Sequence, residues 1–439
     1  MSLPLEQRGT AEPLRKSAWA ASSPEPALRP PLRGATEAEI VVVGGGVAGL
    51  STALHLAESN RPPLLLEAGA IGDGATGASA GVIAPQLIRA TPHAVLARLG
   101  GKRGEATLRL ISESGQYLFE LADRHGIACR QSAVGFLAPA TGRSACRRLS
   151  DIITQWRGFR DDLTLCDAVE TARLSGCRGY NAAILHQSGG AIDPLLYVRG
   201  LADRAEALGT RIHENSRVAA IERRGSLWEL STAQGRIKAH TVVLAANGGN
   251  GELHPALQGT VLPLPVCEVL TEPLPQDMRA AILPQRHSLT DLEPDVFSIR
   301  YALGDRLITA LPARHGQSAA RIEQAVNRRL AQMLVVHRPL RLDQIWHGYA
   351  WVNGNLLPRL VNVESGMVAI QACNGRGLGT NTVLGRELAR ALVGSDTPDS
   401  IGFEAPHRVS GFVLARHVPR LLMSVALVAK RFRRRVLAR

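Results

Sequence analysis

A glycine triplet behind a short apolar run constrains this chain more than any other stretch of its sequence. Ile40 to Val43 are β-branched residues typical of a strand buried on both faces, and Gly44, Gly46 and Gly49 follow in the spacing G-x-G-x-x-G. In such a turn the first glycine permits the tight bend and the second lets a pyrophosphate approach the backbone, while the third lets helix and strand pack closely. The pattern predicts a dinucleotide-binding βαβ unit whose helix N-terminus faces the phosphates.

An acidic residue strengthens this prediction. Leu64 to Leu66 read as the second strand, and Glu67 ends it at a distance from Gly44 typical of a side chain that binds the ribose hydroxyls. A structural βαβ unit without a ligand is the alternative, but it does not explain an acid at the end of an apolar strand.

Composition argues against several other classes of protein. The net charge is +13, carried almost entirely by arginine, yet neither a basic face with base-stacking aromatics nor a nucleic-acid reader motif is present. The six cysteines show no C-x-x-C pair and no metal-ligand spacing, which indicates reduced thiols in a cytoplasmic protein without a metal site or disulfide framework.

The two ends of the chain differ from its middle. Residues 1–38 are rich in Pro, Ala and Ser, lack the apolar core of a secretory signal and are predicted to be a disordered leader. Residues 405–439 are basic and contain apolar positions at helical spacing, but the apolar run is too short to cross a bilayer. We expect a basic amphipathic helix that either docks on the protein itself or lies peripherally on the inner face of a membrane.

Two further glycine-rich segments suggest a flavin rather than a nicotinamide cofactor. Residues 72–81 form a loop of small residues, and Cys373 to Asn381 place glycines ahead of a second helix. One helix N-terminus then holds the pyrophosphate, while the other faces the flavin ring, where reduced flavin carries negative charge. Between them, residues 260–311 alternate as strands and turns, which predicts an antiparallel sheet.

The order of these motifs resembles a known family. GGGVAGLS, LLLEAG, GATGASAGVIAPQ, VVLAANGG and NGRGLGTNTVLGRELA are similar to the FAD-dependent D-amino-acid oxidase superfamily, over roughly residues 38–395. Within it the resemblance is to the gamma-glutamylputrescine oxidoreductase, glycine oxidase and sarcosine oxidase-like members. It implies oxidation of a carbon–nitrogen bond by hydride transfer to flavin N5.

The resemblance also implies a fold and a division into domains. We expect an α/β protein (α+β overall), with a Rossmann-type FAD-binding domain and an inserted substrate domain built on an antiparallel sheet. The FAD-binding domain is predicted from residues 39–91, 190–260 and 340–396, and the substrate domain from residues 92–189 and 261–339.

Cofactor contacts follow from the same resemblance, residue by residue. It assigns Gly44, Gly46, Gly49 and Glu67 to the ADP half, Gly74, Thr76, Ser79 and Gly81 to the pyrophosphate and ring, Val218 to the adenine, Asn247 to the cleft, and Gly375, Arg376, Gly377, Leu378 and Gly379 to the pyrimidine edge. By the same motif, Asn374 and Arg376 lie nearest to the flavin.

At three places the sequence departs from the family pattern, and there the family's properties are not transferred to this chain. Ala78-Ser79-Ala80 stand where the gamma-glutamylputrescine type has Arg-Asn-Gly, so that substrate is not assumed. Residues 346–358 contain no cysteine for covalent attachment, which predicts non-covalent FAD. The strand Arg306 to Leu311 contains no lysine of the kind that promotes reaction with oxygen, so a dehydrogenase is as credible as an oxidase.

The candidate catalytic residues are chosen by the chemistry of their side chains and not by the family resemblance. Arg300 and Tyr301 are candidates to bind a substrate carboxylate, and His347 is a candidate proton acceptor near neutral pH. The alternatives are a solvated strand arginine and a buried histidine with no part in catalysis.

The sequence therefore predicts FAD-dependent oxidation of a primary or secondary amine, or of an amino acid, to an imine that water hydrolyses. Its partners are that small substrate and O₂ or another electron acceptor, and no nucleic acid. Two alternatives remain: a membrane-surface dehydrogenase that passes electrons to a quinone or carrier, and a flavin-binding subunit without catalysis of its own.

Overall fold

The computed structural model describes residues 17–24, 29–313, 316–371, 374–394 and 401–412. Within these ranges the α-helices are α1 (Ala18–Ser22), α2 (Val47–Glu58), α3 (Pro92–Leu99), α4 (Gly101–Arg124), α5 (Ala145–Trp156), α6 (Ala168–Ser175), α7 (Pro194–Ala207), α8 (Asn250–Leu253), α9 (Gln276–Ala281), α10 (Ala319–Met333) and α11 (Gly377–Leu392). The strands are β1 (Gly34–Val43), β2 (Leu64–Leu66), β3 (Val82–Ile83), β4 (Phe136–Ala140), β5 (Leu163–Cys166), β6 (Ala182–His186), β7 (Gly190–Ala191), β8 (Arg211–His213), β9 (Ala220–Arg224), β10 (Leu227–Ser231), β11 (Gly235–Leu244), β12 (Val261–Pro273), β13 (Ser288–Thr290), β14 (Ser298–Ala302), β15 (Arg306–Pro312), β16 (Leu342–Asn353), β17 (Arg359–Glu364), β18 (Met367–Gln371) and β19 (Phe403–Glu404).

One sheet, here called the cofactor sheet, has a parallel core. Its strand order is β19-β17-β18-β11-β1-β2-β8, and the β9–β10 hairpin is attached to β11. β1 runs parallel to β2 and β11, and β18 runs parallel to β11. Both faces of β1 are covered: Ile40 and Val42 pack in the cluster that contains α2, and Val41 and Val43 pack on the opposite side with Trp228. The predicted α/β, Rossmann-type fold is confirmed.

The register of this sheet sets the position of the glycine turn. Val43 pairs with Leu66 on one side and with Leu244 on the other. The loops that follow the three strands therefore leave the same edge, where ligands bind in open parallel sheets.

The other large sheet, here called the roof sheet, has the order β16-β12-β15-β14-β13-β4-β6-β5. Its pairs are antiparallel apart from β13 and β4, so the predicted antiparallel sheet is confirmed. Side chains alternate between its faces: Cys267, Val269 and Tyr301 pack in one cluster with α10, while Ile308 and Trp346 pack in the cluster shared with α2. The second face is thus turned toward the cofactor sheet.

One predicted domain boundary is wrong. Residue 340 was predicted to begin the last segment of the FAD-binding domain, but β16 pairs along its whole length with β12 in the roof sheet. The return to the cofactor sheet comes with β17 and β18. The signal missed is that the apolar positions of 342–353 alternate like those of the strands before them.

The prediction of a disordered leader over residues 1–38 is also wrong for its described part. α1 holds Trp19 at 3% exposure, and the indole Nε1 donates to the Ser79 carbonyl oxygen at 2.8 Å. The Arg300 guanidinium lies 5.0 Å from the centre of the Trp19 ring, and β1 begins at Gly34. Residues 1–16 and 25–28 lie outside the described residues.

The chain end is described as far as residue 412, where the Val409 N–H donates to the Gly259 carbonyl oxygen at 2.9 Å. The helix predicted within 405–439 falls mainly on residues 413–439, outside the described residues. No described helix combines the length and the apolar character needed to cross a membrane.

Replacing Trp19 tests whether α1 stabilises the fold. We expect Trp19→Ala to lower the free energy of unfolding by about 3 kcal/mol, since a buried ring leaves a cavity behind. Trp19→Phe keeps most of the packing and loses the hydrogen bond, so it should cost about 1 kcal/mol. Urea unfolding measures both, and equal values for the wild type and Trp19→Ala would show that α1 contributes nothing.

Candidate functional site

The glycine motif that joins β1 to α2 needs glycine at two of its three positions. Gly44 has φ +114°, and a Cβ there would lie 2.7 Å from the Ala245 carbonyl oxygen. A Cβ on Gly49 would overlap with the Gly44 carbonyl oxygen. Strand and helix therefore approach as closely as the sequence pattern predicts for a dinucleotide turn.

The N-terminus of α2 is open to a ligand. Gly46 is its N-cap and supplies no side-chain acceptor. The Val47 N–H donates a long hydrogen bond, of 3.4 Å, to the Thr76 Oγ1. A helix start without a side-chain cap presents N–H donors and the positive end of the helix dipole. Thr76 lies beside this start, as the resemblance implies for a residue along the pyrophosphate.

Glu67 organises the neighbouring loop. Its carboxylate accepts the Gly45 N–H at 2.7 Å and the Gly69 N–H at 2.9 Å. Its carbonyl oxygen accepts the Ser216 N–H at 2.8 Å, which brings the segment that contains the buried Val218 beside it. The ribose and adenine contacts predicted for Glu67 and Val218 therefore fall on adjacent segments.

The second glycine-rich helix start lies at the same edge of the cofactor sheet. α11 follows β18, which runs parallel to β11 and β1, and its N-cap Arg376 makes no side-chain cap. The two helices touch closely: the Ser51 hydroxyl donates to the Thr382 carbonyl oxygen at 2.6 Å, and a Cβ on Gly385 would lie 2.6 Å from the Ser51 Cβ. Two open helix N-termini are thus held side by side.

Two buried polar groups on the predicted cofactor residues have no hydrogen-bond partner among the described residues. These are the Ser79 hydroxyl and the Asn374 Nδ2. Asn374 is held in place, because its Oδ1 accepts the Asn353 N–H and its own N–H donates to the Trp351 carbonyl oxygen, both at 2.9 Å. Buried polar groups are normally paired, so both groups fit a polar ligand such as FAD.

Other predicted cofactor residues lie at the same edge but have different local surroundings. Gly81 has φ +74° and joins the loop to the roof sheet, because its carbonyl oxygen accepts the Arg300 Nη1 at 2.8 Å. Gly74 is exposed in an open turn, where a Cβ would meet nothing. Asn247 begins a 3-10 turn, and the next residue, Gly248, lies flat against the Trp351 ring.

The glycines of the last motif have two different surroundings: one lies beside open space where a ligand could bind, and another packs against a neighbouring helix. Gly375 has φ +77° and open space around it, and Gly377 begins α11. Leu378 is buried, and a Cβ on Gly379 would lie 2.6 Å from the Ser114 carbonyl oxygen of α4. Gly379 therefore serves helix packing in this structure, and the motif residue Cys373 lies outside the described residues.

Arg376 places a positive charge at the cleft beside this helix start. The cleft is lined by Gln86, Ile111, Leu356, Pro358, Asn374 and Arg376. The guanidinium lies 5.2 Å from the centre of the Phe136 ring and has no carboxylate partner among the described residues, while burial lowers the pKa of Arg376 to about 10. Such a group is suited to an anionic or carbonyl-rich ligand.

Arg300, a predicted carboxylate-binding residue, is buried among backbone carbonyl oxygens. It is buried, its Nε donates to the Tyr301 carbonyl oxygen, and its Nη1 donates to the carbonyl oxygens of Gly81 and Ile192, all at 2.8–3.0 Å. This guanidinium ties the roof sheet to the cofactor loop. Its burial contradicts the solvated residue of the alternative, while the binding of a substrate carboxylate stays a prediction.

Tyr301 and His347 lie on the face of the roof sheet turned away from the cofactor sheet. The Tyr301 hydroxyl donates to the Ile282 carbonyl oxygen at 2.9 Å within the cluster around α10. Trp346 points toward the cofactor loop, where its Nε1 donates to the Ala78 carbonyl oxygen at 2.9 Å. The next residue, His347, is exposed on the opposite face, so neither predicted catalytic side chain faces the candidate site.

Sequence reasoning missed Glu268 on the face that does look toward the cofactor sheet. Glu268 is 7% exposed, its Oε2 has no partner among the described residues, and burial raises the pKa of this carboxyl to about 8. The signal was present: Glu268 is the one charged residue in the strand-like run Val266 to Thr271.

A parallel sheet with two open helix N-termini at its carboxyl edge, roofed by an antiparallel sheet, is the arrangement expected of a flavin-dependent oxidoreductase. The chain belongs to the DAO family, described as FAD dependent oxidoreductase, whose sequence profile matches residues 39–391. FAD is therefore the cofactor of this protein, and the predicted family is confirmed.

One relative is similar over most of the chain and another over about half of it. The gamma-glutamylputrescine oxidoreductase of Escherichia coli (strain K12) is 26% identical over 385 residues, covering 86% of this chain and 89% of the relative. A glycine oxidase of Bacillus licheniformis is 27% identical over 219 residues, or 49% of this chain and 55% of the relative. Among solved structures, glycine oxidase from Geobacillus kaustophilus has a TM-score of 0.69 at 20% identity, covering 83% of this chain and 98% of that one. This last similarity shows the fold alone.

Removing the Glu67 carboxylate tests the cofactor end of the site. We expect Glu67→Ala to weaken FAD binding tenfold or more, because a charge-assisted hydrogen bond contributes about 1.5–3 kcal/mol. Titration of the apoprotein with FAD, followed by flavin fluorescence, measures the affinity. Glu222→Ala on the exposed β9 is the matched control and should bind like the wild type. Equal affinity for both variants would exclude Glu67 from the cofactor site.

Proposed function

We propose that this protein oxidises the carbon–nitrogen bond of a primary or secondary amine, or of an amino acid, to an imine that water hydrolyses. The observation that carries the proposal is the pair of open helix N-termini beneath a roof-sheet face that bears an unpartnered buried carboxyl. FAD, when bound, supplies the hydride acceptor. The named relatives act on amines and amino acids, which supports the same substrate class here.

The residues of the chain have distinct parts in this proposal. Gly44, Gly46 and Glu67 hold the dinucleotide half, and Ser79 and Asn374 offer the flavin half their unpartnered polar groups. The roof sheet excludes water from above, since Trp346 and Ile308 pack in the core cluster shared with α2. Water exclusion matters because it strengthens the electrostatic interactions that orient the substrate.

Non-covalent attachment of FAD belongs to the proposal as well. The segment from Trp346 to Pro358 contains no cysteine. Acid precipitation of the purified protein should release the whole of its FAD into the supernatant.

A dehydrogenase that uses an acceptor other than O₂ is the second candidate, and one observation favours it. On this face of β15, Arg306 at the start of the strand is bound to Asp343, and the residues opposite Leu270 and Glu268 of β12 are Ile308 and Ala310. Neither carries the positive charge that the family resemblance associates with reaction with oxygen. The membrane-surface form of this candidate depends on residues 413–439, which lie outside the described residues.

An anaerobic screen tests the proposed function. We expect at least one compound from a panel of primary amines, secondary amines and amino acids to bleach the flavin absorbance of the holoenzyme within seconds to minutes. Stopped-flow spectroscopy gives the rate and the dissociation constant for each compound, and buffer without amine is the control. A flavin that no compound reduces would support the third candidate, a flavin-binding subunit without catalysis.

Aerobic assays then separate the oxidase from the dehydrogenase. With the fastest substrate, the absence of lysine on β15 leads us to expect slow peroxide release and at least tenfold faster turnover with an artificial acceptor. Peroxide formed at the rate of flavin reduction would contradict this expectation and identify an oxidase.

A further inference from the structure

Glu268 lies on the cofactor-facing side of the roof sheet, in β12, the strand next to the edge strand β16. It pairs with Ala310 of β15 and with Trp346 of β16. Its neighbours in the strand, Cys267 and Val269, pack into the cluster with α10 on the other face. Because side chains alternate along a strand, the Glu268 carboxyl points toward the cofactor sheet.

The described residues around this carboxyl do not supply the hydrogen bonds that it can accept. Oε2 is buried and has no hydrogen-bond partner among the described residues. Arg300 is the cation that acts on it, but its Nε and Nη1 donate to backbone carbonyl oxygens. A buried carboxyl without donors is costly to keep and is a recurrent sign of a functional site.

A second unpartnered acceptor lies on the same face. Gln344 pairs with Leu270, two residues from the Glu268–Trp346 pair, so the Gln344 and Glu268 side chains are diagonal neighbours. The buried Gln344 Oε1 also has no partner among the described residues. The Trp346 N–H cannot serve them, since it donates to Ala78. Two acceptors beside an indole ring fit a group with several N–H donors and a positive charge.

We propose that Glu268 and Gln344 bind the amino group of the substrate, and that Glu268 accepts a proton from it. This inference rests on the proposed function and names the residues that recognise the amine. In the proton transfer, an N–H bond of the substrate ammonium breaks and an O–H bond forms on the Glu268 carboxylate. The nitrogen keeps the electron pair and becomes the neutral amine that oxidation of the carbon–nitrogen bond requires.

The groups around Glu268 give this step a defined pH dependence. β14 presents Arg300, and β16 presents Gln344 and Trp346. β15 presents Ile308 and Ala310 and, farther along the strand, Arg306, which is bound to Asp343. The loop from Ala78 to Gly81 and the Trp19 ring of α1 bring no titratable side chain. The rise of the reaction with pH should therefore report the Glu268 carboxyl, whose pKa burial raises to about 8.

The decisive experiment compares anaerobic flavin reduction in wild type and Glu268→Gln from pH 6 to 10.5, with the fastest amine of the screen. We expect the ratio of the reduction rate to the dissociation constant to rise in the wild type with an apparent pKa near 8. In Glu268→Gln it should rise only near the amine's own pKa of about 10, because the free amine alone then reacts. At pH 8 the variant should be slower by about 10²-fold.

Two further variants control this comparison. Glu272 lies on the same strand as Glu268, and its carboxylate accepts a hydrogen bond from the Arg341 side chain. The substitution Glu272→Gln should therefore leave the pH profile unchanged. Gln344→Leu should raise the dissociation constant of the amine without moving the pH profile. A Gln344→Leu variant that binds the amine like the wild type would remove Gln344 from the proposal.

The pH dependence of thermal unfolding gives a readout that needs no substrate. Because its pKa is raised, the Glu268 carboxyl keeps its proton in the folded state up to about pH 8, whereas in the unfolded chain it loses the proton above about pH 4.5. The contribution of Glu268 to the stability of the wild type therefore falls as the pH rises from about 4.5 to about 8. Glu268→Gln lacks this loss, and its melting temperature relative to wild type should increase over that range. A constant difference would overturn the inference.

The remaining outcomes separate this inference from the proposed function. If an amine bleaches wild type and Glu268→Gln with the same rate and pH profile, the proposed function stands and the role of Glu268 is refuted. If no amine bleaches the wild-type flavin, the proposed function fails, and the inference fails with it.

Discussion

The close contact between α2 and α11 is the interaction on which the rest of the site depends. Gly385 lets the second helix approach Ser51 of the first, and the Ser51 hydroxyl then bonds to the Thr382 carbonyl oxygen. Both helices follow parallel strands, so this contact fixes their N-termini side by side at one edge of the sheet. A larger residue at position 385 would separate two dipole ends that must face the same ligand.

The roof sheet contributes through the alternation of its side chains. On one face apolar residues pack against α10, and on the other Arg300, Glu268 and Trp346 look toward the cofactor sheet. Arg300 and Trp346 both bond to backbone carbonyl oxygens of the 78–81 loop, so they position the roof over the cofactor edge. Glu268 stands between these two supports without a partner of its own.

The sequence predicted the parts of this site that depend on local pattern. The glycine spacing identified the turn at Gly44, and the alternating residues after 260 identified the antiparallel sheet. It did not predict that Trp19 would pack under Arg300, because a contact between such distant positions leaves no local pattern. The faces of Tyr301, His347 and Glu268 were also undetermined, since a one-residue change of register reverses every side chain of a strand.

The contact of Trp19 with Ser79 and Arg300 has a consequence for the order in which the molecule assembles. The ribosome releases the N-terminal residues first, yet their binding surface is incomplete until the strand that carries Arg300 has been made. During synthesis the start of the chain must therefore wait, and the cofactor loop stays uncovered for the same interval. Helix α1 thus depends, for one of its contacts, on a strand that is made much later than the helix itself.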